Sequence, residues 1–370
     1  MDLRRYPDVE GPGLVAVDAA DRLILDEAAA FTGALTRGEV CVLDDAYGAL
    51  TLGLLDGVDG AGEIRVHQDL VTGERALAAN AERNGLSGYT SMPFSPAAIA
   101  DARLVVMRLP RSLDRLAEAA ALLAAHAAPD VVVVAGGRIK HMTPRMNEVL
   151  GAVFDRVDVT HARQKSRVLL ARGPRVEAAA DALSTWPRTE HHTDPDLTIA
   201  AHGGVFAGTG IDIGTRFLLD QLDGAAGTTV VDLGCGNGSA AAWFARTRPD
   251  SRVLATDRSA LAVASARATV EANGVAARVD AVRADAAETV EDGGTDLVLL
   301  NPPFHSDAAL STGIAEHLFA EARRVLRPGG ELWCVWNSHL RYRSALERMV
   351  GPTRQIARNR KFTVTASTRD

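Results

Sequence analysis

Two short stretches carry the residue types from which chemistry can be built: Asn301-Pro302-Pro303-Phe304 and VVDLGCGNG at 230–238. The first suits methyl transfer to a planar amino group. Such a nitrogen is a poor nucleophile because its lone pair is delocalised into a ring or a carbonyl. Two acceptors placed on its hydrogens hold it, favour pyramidal geometry and aim the lone pair at a methyl carbon. The side-chain oxygen of Asn301 and the backbone carbonyl of Pro302 can be those acceptors, with the prolines, Pro303 included, stiffening the turn. Phe304 adds a face for a base to stack on, worth about 1–3 kcal/mol in single-strand binders. Proximity and orientation then do most of the work, without a nucleophilic side chain. The plain alternative is a turn, since Asn-Pro and Pro-Pro often end strands. Its place at the carboxyl end of a predicted strand, 297–300, beside the second stretch, favours the chemical reading.

The second stretch reads as a loop that receives a cofactor. A β-branched run ends at Asp232 and passes into Gly234, Gly236 and Gly238, with Asn237 inside the loop and alanine-rich helix after it. Ligands of open α/β sheets bind outside the carboxyl ends of the strands, where glycine lets backbone come close. Asp257 follows Gly234 by 23 residues, the place of an acid that grips a ribose. A dinucleotide site is one reading. The third glycine, however, comes one residue early for GxGxxG, and Asp232 sets a carboxylate at the mouth of the loop. That charge repels a pyrophosphate and tolerates the ammonium and sulfonium of S-adenosylmethionine, so a methyl-donor site is preferred. Asp285, at the end of the next strand, is the candidate for an adenine edge, with a solvated strand-end carboxylate as its alternative.

These residues must be positioned by regular elements. Predicted strands at 230–233, 252–256, 278–283, 297–300 and 331–336 alternate with helical runs. Ile314, Leu318, Phe319, Ala322, Val325 and Leu326 fall on one helical stripe that Pro328-Gly329-Gly330 stops. The alternation predicts an α/β fold with a mostly parallel sheet covered on both faces. The first half repeats the plan. Asp44, Gly48 and Asp69 match Asp232, Gly236 and Asp257 at a constant offset of 188. Helical runs end in Asn84-Gly85 and in Asn273-Gly274, and residues 162–171 resemble 357–366. Matches in one order indicate a duplication. The turn-rich junction between Gly173 and His202 reads as a linker, giving domains 1–175 and 201–370 joined by 176–200.

The 370 residues are 47% hydrophobic and 24% charged, a globular composition with room for more than one core. No apolar run matches the roughly 20 residues that span a bilayer, and no secretory leader is visible. Three separated cysteines, Cys41, Cys235 and Cys334, fit a reduced, cytoplasmic protein without structural zinc. The net charge of −7 argues against a general polyanion binder. Locally, though, residues 138–175 carry nine Lys/Arg against three Asp/Glu, and residues 338–361 seven against one. Such runs either hold phosphates or are solvated faces. His191-His192 has no ligand-spaced partner and reads as a pair of linker histidines, so no metal is expected. Cys235 is a small residue fitted to tight backbone rather than a nucleophile. His305 either orients substrate or caps its loop.

DLGCGNG with NPPF resembles the amino-methylating class of S-adenosylmethionine-dependent methyltransferases. Adding GVFAGTGIDIG at 204–214, NPPFH, LDDAYGAL at 43–50 and NSHLRYRSALERMVG at 337–351, nearly the whole chain is similar to the bacterial ribosomal RNA guanine-N2 methyltransferases. It is more similar to the large-subunit enzymes than to the small-subunit ones. The resemblance implies two tandem Rossmann-like class I methyltransferase domains, the N-terminal copy degenerate and serving as an RNA platform. It implies that Asp232, Gly234, Gly236 and Gly238 bind the donor, Asp257 its ribose and Asp285 its adenine, while Asn301 to Phe304 hold the amine. The expected partner is ribosomal RNA, 23S rather than 16S, naked or within a subunit. The expected state is a monomer carrying its own pseudo-dimer. One departure is Ala207-Gly208, where relatives have Ser-Arg. In the first copy Ala46 is read at the place of Gly234, and Met107-Arg108-Leu109-Pro110 replaces the acceptor motif, so no catalysis is expected there. The rival readings are methylation of a protein glutamine, methylation of adenine N6, and a non-catalytic RNA-binding protein of ribosome assembly.

Overall fold

The computed structural model describes residues 1–11, 13–303 and 308–370, the side chains of 308–312 excepted. Phe304 and His305 lie outside the described residues. The chain divides into two units, Met1–Trp186 and Pro187–Asp370.

In the first unit, strands β1 (Val40–Leu43), β2 (Ile64–His67), β3 (Tyr89–Ser91), β4 (Leu104–Arg108), β5 (Val132–Arg138), β6 (Phe154–Val159) and β7 (Ser166–Pro174) form one sheet. Their order is β3-β2-β1-β4-β5-β7-β6. The first five pair in parallel, and β7 runs antiparallel to both of its neighbours. Helices α1 (Ala19–Ala28), α2 (Ala49–Leu55), α3 (Val71–Arg83), α4 (Pro96–Ile99), α5 (Leu113–His126), α6 (Arg145–Gly151) and α7 (Val176–Leu183) complete it. Val40 and Val42 belong to one core cluster with Leu50 and Leu77, while Cys41 and Leu43 belong to another with Leu116 and Leu123. Burial on both faces is why β1 reads as a continuous apolar run instead of an alternation.

The second unit opens with a hairpin, β8 (Arg188–Thr193) and β9 (Asp196–Ala201), followed by α8 (Ile213–Leu219). Its main sheet comprises β10 (Thr229–Leu233), β11 (Arg252–Asp257), β12 (Val279–Arg283), β13 (Thr295–Leu300), β14 (Leu326–Asn337), β15 (Thr353–Arg358) and β16 (Phe362–Thr368). The order is β12-β11-β10-β13-β14-β16-β15, with the same parallel and antiparallel senses as in the first unit. Helices α9 (Ser239–Thr247), α10 (Ala260–Ala272), α11 (Ala308–Val325) and α12 (Arg343–Met349) connect the strands. The expected strands are all present. β14 starts five residues earlier than expected, so Pro328-Gly329-Gly330 lies within it, at a register shift opposite Thr295–Leu297. The strand order reverses at β10, whose neighbours β11 and β13 leave a crevice outside their carboxyl ends.

The segment 176–200 is not the loose linker expected. Helix α7 packs on α5, and β9 is tied to α10. Asn273 accepts the N–H of Thr198 at 3.0 Å and donates back to its carbonyl, and Thr269 does the same for Ala200. Its proline- and glycine-rich pairs end short elements instead of forming a flexible tether. His191 and His192 lie on β8, and His192 donates to the Thr209 carbonyl at 2.8 Å.

The duplication holds, in a register other than the offset of 188. Leu43 lies opposite His67 as Leu233 lies opposite Thr256. The next N–H group, of Asp44 or Gly234, donates to that partner's carbonyl at 2.9 and 2.8 Å. Both residues have positive φ, 55° and 75°, and left-handed Gly48 and Gly238 precede α2 and α9. Asp44 therefore stands at the place of Gly234, and Ala46 at that of Gly236, not of Gly234. By the same register Gln68, not Asp69, occupies the place of Asp257. Among the described residues no helix is long and apolar enough to cross a membrane.

Candidate active site

At the end of β10 the chain turns through Gly234 to Gly238 into α9. The N–H groups of Gly234 and Cys235 both donate to the Thr256 carbonyl, at 2.8 and 2.9 Å. Asp257 accepts the Gly236 N–H on one oxygen, at 3.0 Å, and the Ser259 N–H on the other, at 2.9 Å. The carboxylate at the end of β11 thus braces the loop as well as facing the sheet edge. Gly238 has no alternative: its φ is 77°, and a Cβ there would lie 2.7 Å from the Ala266 Cα. Only glycine combines that conformation with so close a helix.

Asp232 is buried and accepts the Ala241 N–H at 3.0 Å. Burial, with the charge of Asp257 added, pushes its carboxyl up to about 7, against the single backbone hydrogen bond. Burial likewise pushes the Cys235 thiol up, which makes it a poor nucleophile. Asn237 commits both amide hydrogens to the carbonyls of Gly208 and Gly210, each at 2.8 Å, and its oxygen to the Ser239 N–H. Its side chain therefore anchors the neighbouring 206–210 loop.

Asn301 leaves the end of β13. Its Nδ2 donates to Asp212 Oδ2 at 3.0 Å and to Thr215 Oγ1 at 2.9 Å. Its Oδ1 is buried and has no partner among the described residues. Pro302 is buried and Pro303 exposed. A cleft is lined by Asp232, Gly234, Gly236, Asn237 and Asn301, among others. Gly238 sits behind it as the helix cap, and Asp257 and Asp285 lie outside its lining, at the ends of β11 and β12. Asp285 is half-buried, 3.6 Å from His317 Nε2, and its hydrogen bond holds that imidazole above its ordinary value.

Among the other lining residues, Phe206, Ala207, Asp212 and Thr215 were not singled out as site residues by the sequence reading. An aspartate ahead of a short apolar run marks the start of α8, but nothing local links it to Asn301, 89 positions on. In the first unit the corresponding edge is filled by its own side chains. Arg115 pairs with Asp44 at 3.0 Å and lies over the Phe94 ring, which also packs on His67.

Residues 1–175 match the model of the RLMG N-terminal domain, and residues 196–366 match that of the methyltransferase small domain. Proteins named ribosomal RNA large subunit methyltransferase G, from Pseudomonas paraeruginosa and Pseudomonas aeruginosa PAO1, are 34% and 35% identical to this chain. Each alignment covers 98% of this chain and 96% of the relative. The chain belongs to the ribosomal RNA large subunit methyltransferase G family. Among solved structures, the T. thermophilus 16S rRNA N2 methyltransferase RsmC, in complex with AdoMet and guanosine, superposes with a TM-score of 0.75 at 21% identity. That superposition covers 95% of this chain and 92% of RsmC. The fold of this large subunit methyltransferase G family member is thus two tandem Rossmann-like class I methyltransferase domains. The open cleft lies in the second, and the first is closed by its own residues.

Proposed function

We propose that the second unit transfers a methyl group from S-adenosylmethionine to the exocyclic N2 of a guanine in ribosomal RNA, 23S in preference to 16S. The observation that carries this is the Oδ1 of Asn301, buried at the cleft beside the glycine loop and without a partner among the described residues. An acceptor kept out of water in this way costs free energy until a donor reaches it, and an amino group supplies the hydrogen. The names of the family relatives supply the substrate class.

The residues present fit the donor. Asp232 is a buried acid that accepts the backbone N–H of Ala241, which leaves it suited to an ammonium. Gly234 and Gly236 have open space where a Cβ would stand. Asp257, at the end of β11 beside the loop, is assigned the ribose hydroxyls, and Asp285 is assigned the adenine. When bound, S-adenosylmethionine supplies a methyl already activated on a sulfonium. Asn301 Oδ1 and the Pro302 carbonyl then hold the amine while its nitrogen bonds the methyl carbon, the sulfur–carbon bond breaks and the amine proton passes to water. Phe304 is assigned the stacking face for a base drawn out of its helix. We read the chain as a cytoplasmic monomer.

The first unit is assigned to holding RNA. Arg111 lies 3.2 Å from His141, and burial, then the positive charge of Arg111, Lys140, Arg138 and Arg108, holds that imidazole below its ordinary value. Cations that converge in this way suit a phosphate backbone. Joint replacement Arg138→Glu and Lys140→Glu should raise the RNA KM severalfold, leave kcat unchanged and flatten the log–log salt dependence by about 2. An unchanged KM would remove this face from the interface.

The reaction is tested with labelled S-adenosylmethionine and separated ribosomal RNAs and subunits, followed by nucleoside analysis. Label recovered as N2-methylguanosine from 23S RNA supports the proposal. The same nucleoside from 16S RNA alone overturns the subunit assignment. Label in protein or on adenine, or no transfer at all, overturns the reaction.

A further inference from the structure

We propose that Asp212 and Thr215 are positioning residues that decide which end of the Asn301 amide meets the substrate. This rests on the reading of Asn301 as the acceptor for the amine. A primary amide has two orientations of nearly equal shape, one presenting oxygen and the other NH₂. Asp212 is the N-cap of α8, and its Oδ2 accepts the N–H groups of Gly214 and Thr215 at 2.8 and 3.1 Å. The same oxygen takes one Asn301 Nδ2 hydrogen and Thr215 Oγ1 takes the other. Turned by 180°, the amide would set its carbonyl oxygen against the Asp212 carboxylate and present NH₂ to the amine, donor against donor. Thr215 alone does not discriminate, because a hydroxyl both donates and accepts. Asp212 supplies the sign, and Thr215 fixes the plane. The approach also needs Gly214, where a Cβ would lie 2.9 Å from Asp212 Oδ2, 3.2 Å from the Phe362 ring and 3.5 Å from Asn301 Nδ2.

The first unit carries the same device independently. Asp18 is the N-cap of α1 and accepts from the N–H groups of Ala20 and Asp21. Asp18 and Asp21, at the cap and third helical positions, together hold Arg108. Those are the positions of Asp212 and Thr215 on α8. Leu43 pairs with Met107 as Leu233 pairs with Leu300, so Arg108 stands at the place of Asn301. A helix start thus grips the residue leaving the neighbouring strand in both units. Two acids hold a guanidinium in one; an acid and a threonine hold a neutral amide in the other. The grip belongs to the duplicated frame, and the residue held decides what it does.

The test compares Thr215→Val, Thr215→Ser, Asp212→Ser and Asp212→Asn for donor Kd by calorimetry, and for RNA KM and kcat. Serine at 212 still caps the helix but is too short to reach Asn301, whereas asparagine keeps an oxygen in place. Expected are kcat losses of roughly tenfold for Thr215→Val and roughly 10²-fold for Asp212→Ser, with donor Kd and RNA KM within about twofold. Thr215→Ser and Asp212→Asn should retain most turnover. Full turnover in Thr215→Val and Asp212→Ser, alongside an inactive Asn301→Ala, would overturn the positioning role. Donor affinity falling in step with kcat would make the pair merely structural and would overturn it too. Normal turnover in Asn301→Ala would instead remove the acceptor reading on which this inference rests.

Discussion

Asn301→Ala is expected to bind S-adenosylmethionine as the native chain does and to lose roughly 10²-fold or more in turnover, the usual scale for removing one preorganised hydrogen-bonding group. The two effects separate because the donor loop is braced without Asn301. Its contacts run to Thr256 and Asp257, and its helix cap packs on α10. What the substitution removes is a buried acceptor that has no partner among the described residues, together with the amide that Asp212 and Thr215 hold. Asn301→Asp should be no better, since it sets a second carboxylate beside Asp212, where like charges at hydrogen-bond range repel. Single-turnover kinetics on 23S RNA, beside a calorimetric titration of the donor, separate chemistry from binding. Native turnover in Asn301→Ala would exclude the side chain from the reaction.

Donor affinity is expected to rise with pH and to level off above about 7, the value to which burial, helped by Asp257, raises Asp232. Below that pH the carboxyl is protonated and offers the donor's ammonium no charge. The affinity should therefore be about tenfold weaker at pH 6 than at pH 8. The sign for stability runs the other way. The folded value lies above the ordinary 3.8, so the contribution of Asp232 to folding is complete below 3.8 and is lost as pH rises through about 7. A bound cation offsets that loss, so the donor should raise Tm more at pH 8 than at pH 6. Asp232→Asn should abolish the pH dependence and bind at pH 8 about tenfold or more weakly. Calorimetry at three pH values decides it, and a flat profile for the native chain would show that Asp232 does not meet the ammonium.

The β-branched runs, the stripe ending at Val325 and the glycine loop were legible because each is local: burial on both faces makes a strand apolar, and a tight turn demands glycine. The duplication was legible for the same reason, though two positions out of register. Identical letters, Asp44 with Asp232, were matched where the backbone pairs Asp44 with Gly234. A non-glycine residue at positive φ leaves no mark in sequence when its carboxylate is held by a distant Arg115. The segment 176–200 was read as a linker from its turn-rich composition, and the strand β8 within it is almost wholly exposed, with no apolar face to mark it. Asn237 was placed on the donor by its neighbours, whereas its side chain answers to Gly208 and Gly210. The grip of Asp212 on Asn301 joins residues whose proximity is created only when α8 meets the end of β13.

The antiparallel strand β16 lies between β14 and β15, although it is the last of the seven to be synthesised. Until it arrives, β14 presents an open edge and β15 has no place in the sheet. Its first residue, Phe362, would be touched by a Cβ at Gly214, so the packing against the start of α8 waits for the same strand. The first unit has the same arrangement, with β7 between β5 and β6, but its β7 is complete by Pro174, and domains made first generally fold first. A nascent chain therefore carries a finished first unit well before it owns a working cleft. Its vulnerable interval, with one unsatisfied sheet edge, runs from the emergence of β14 to that of β16.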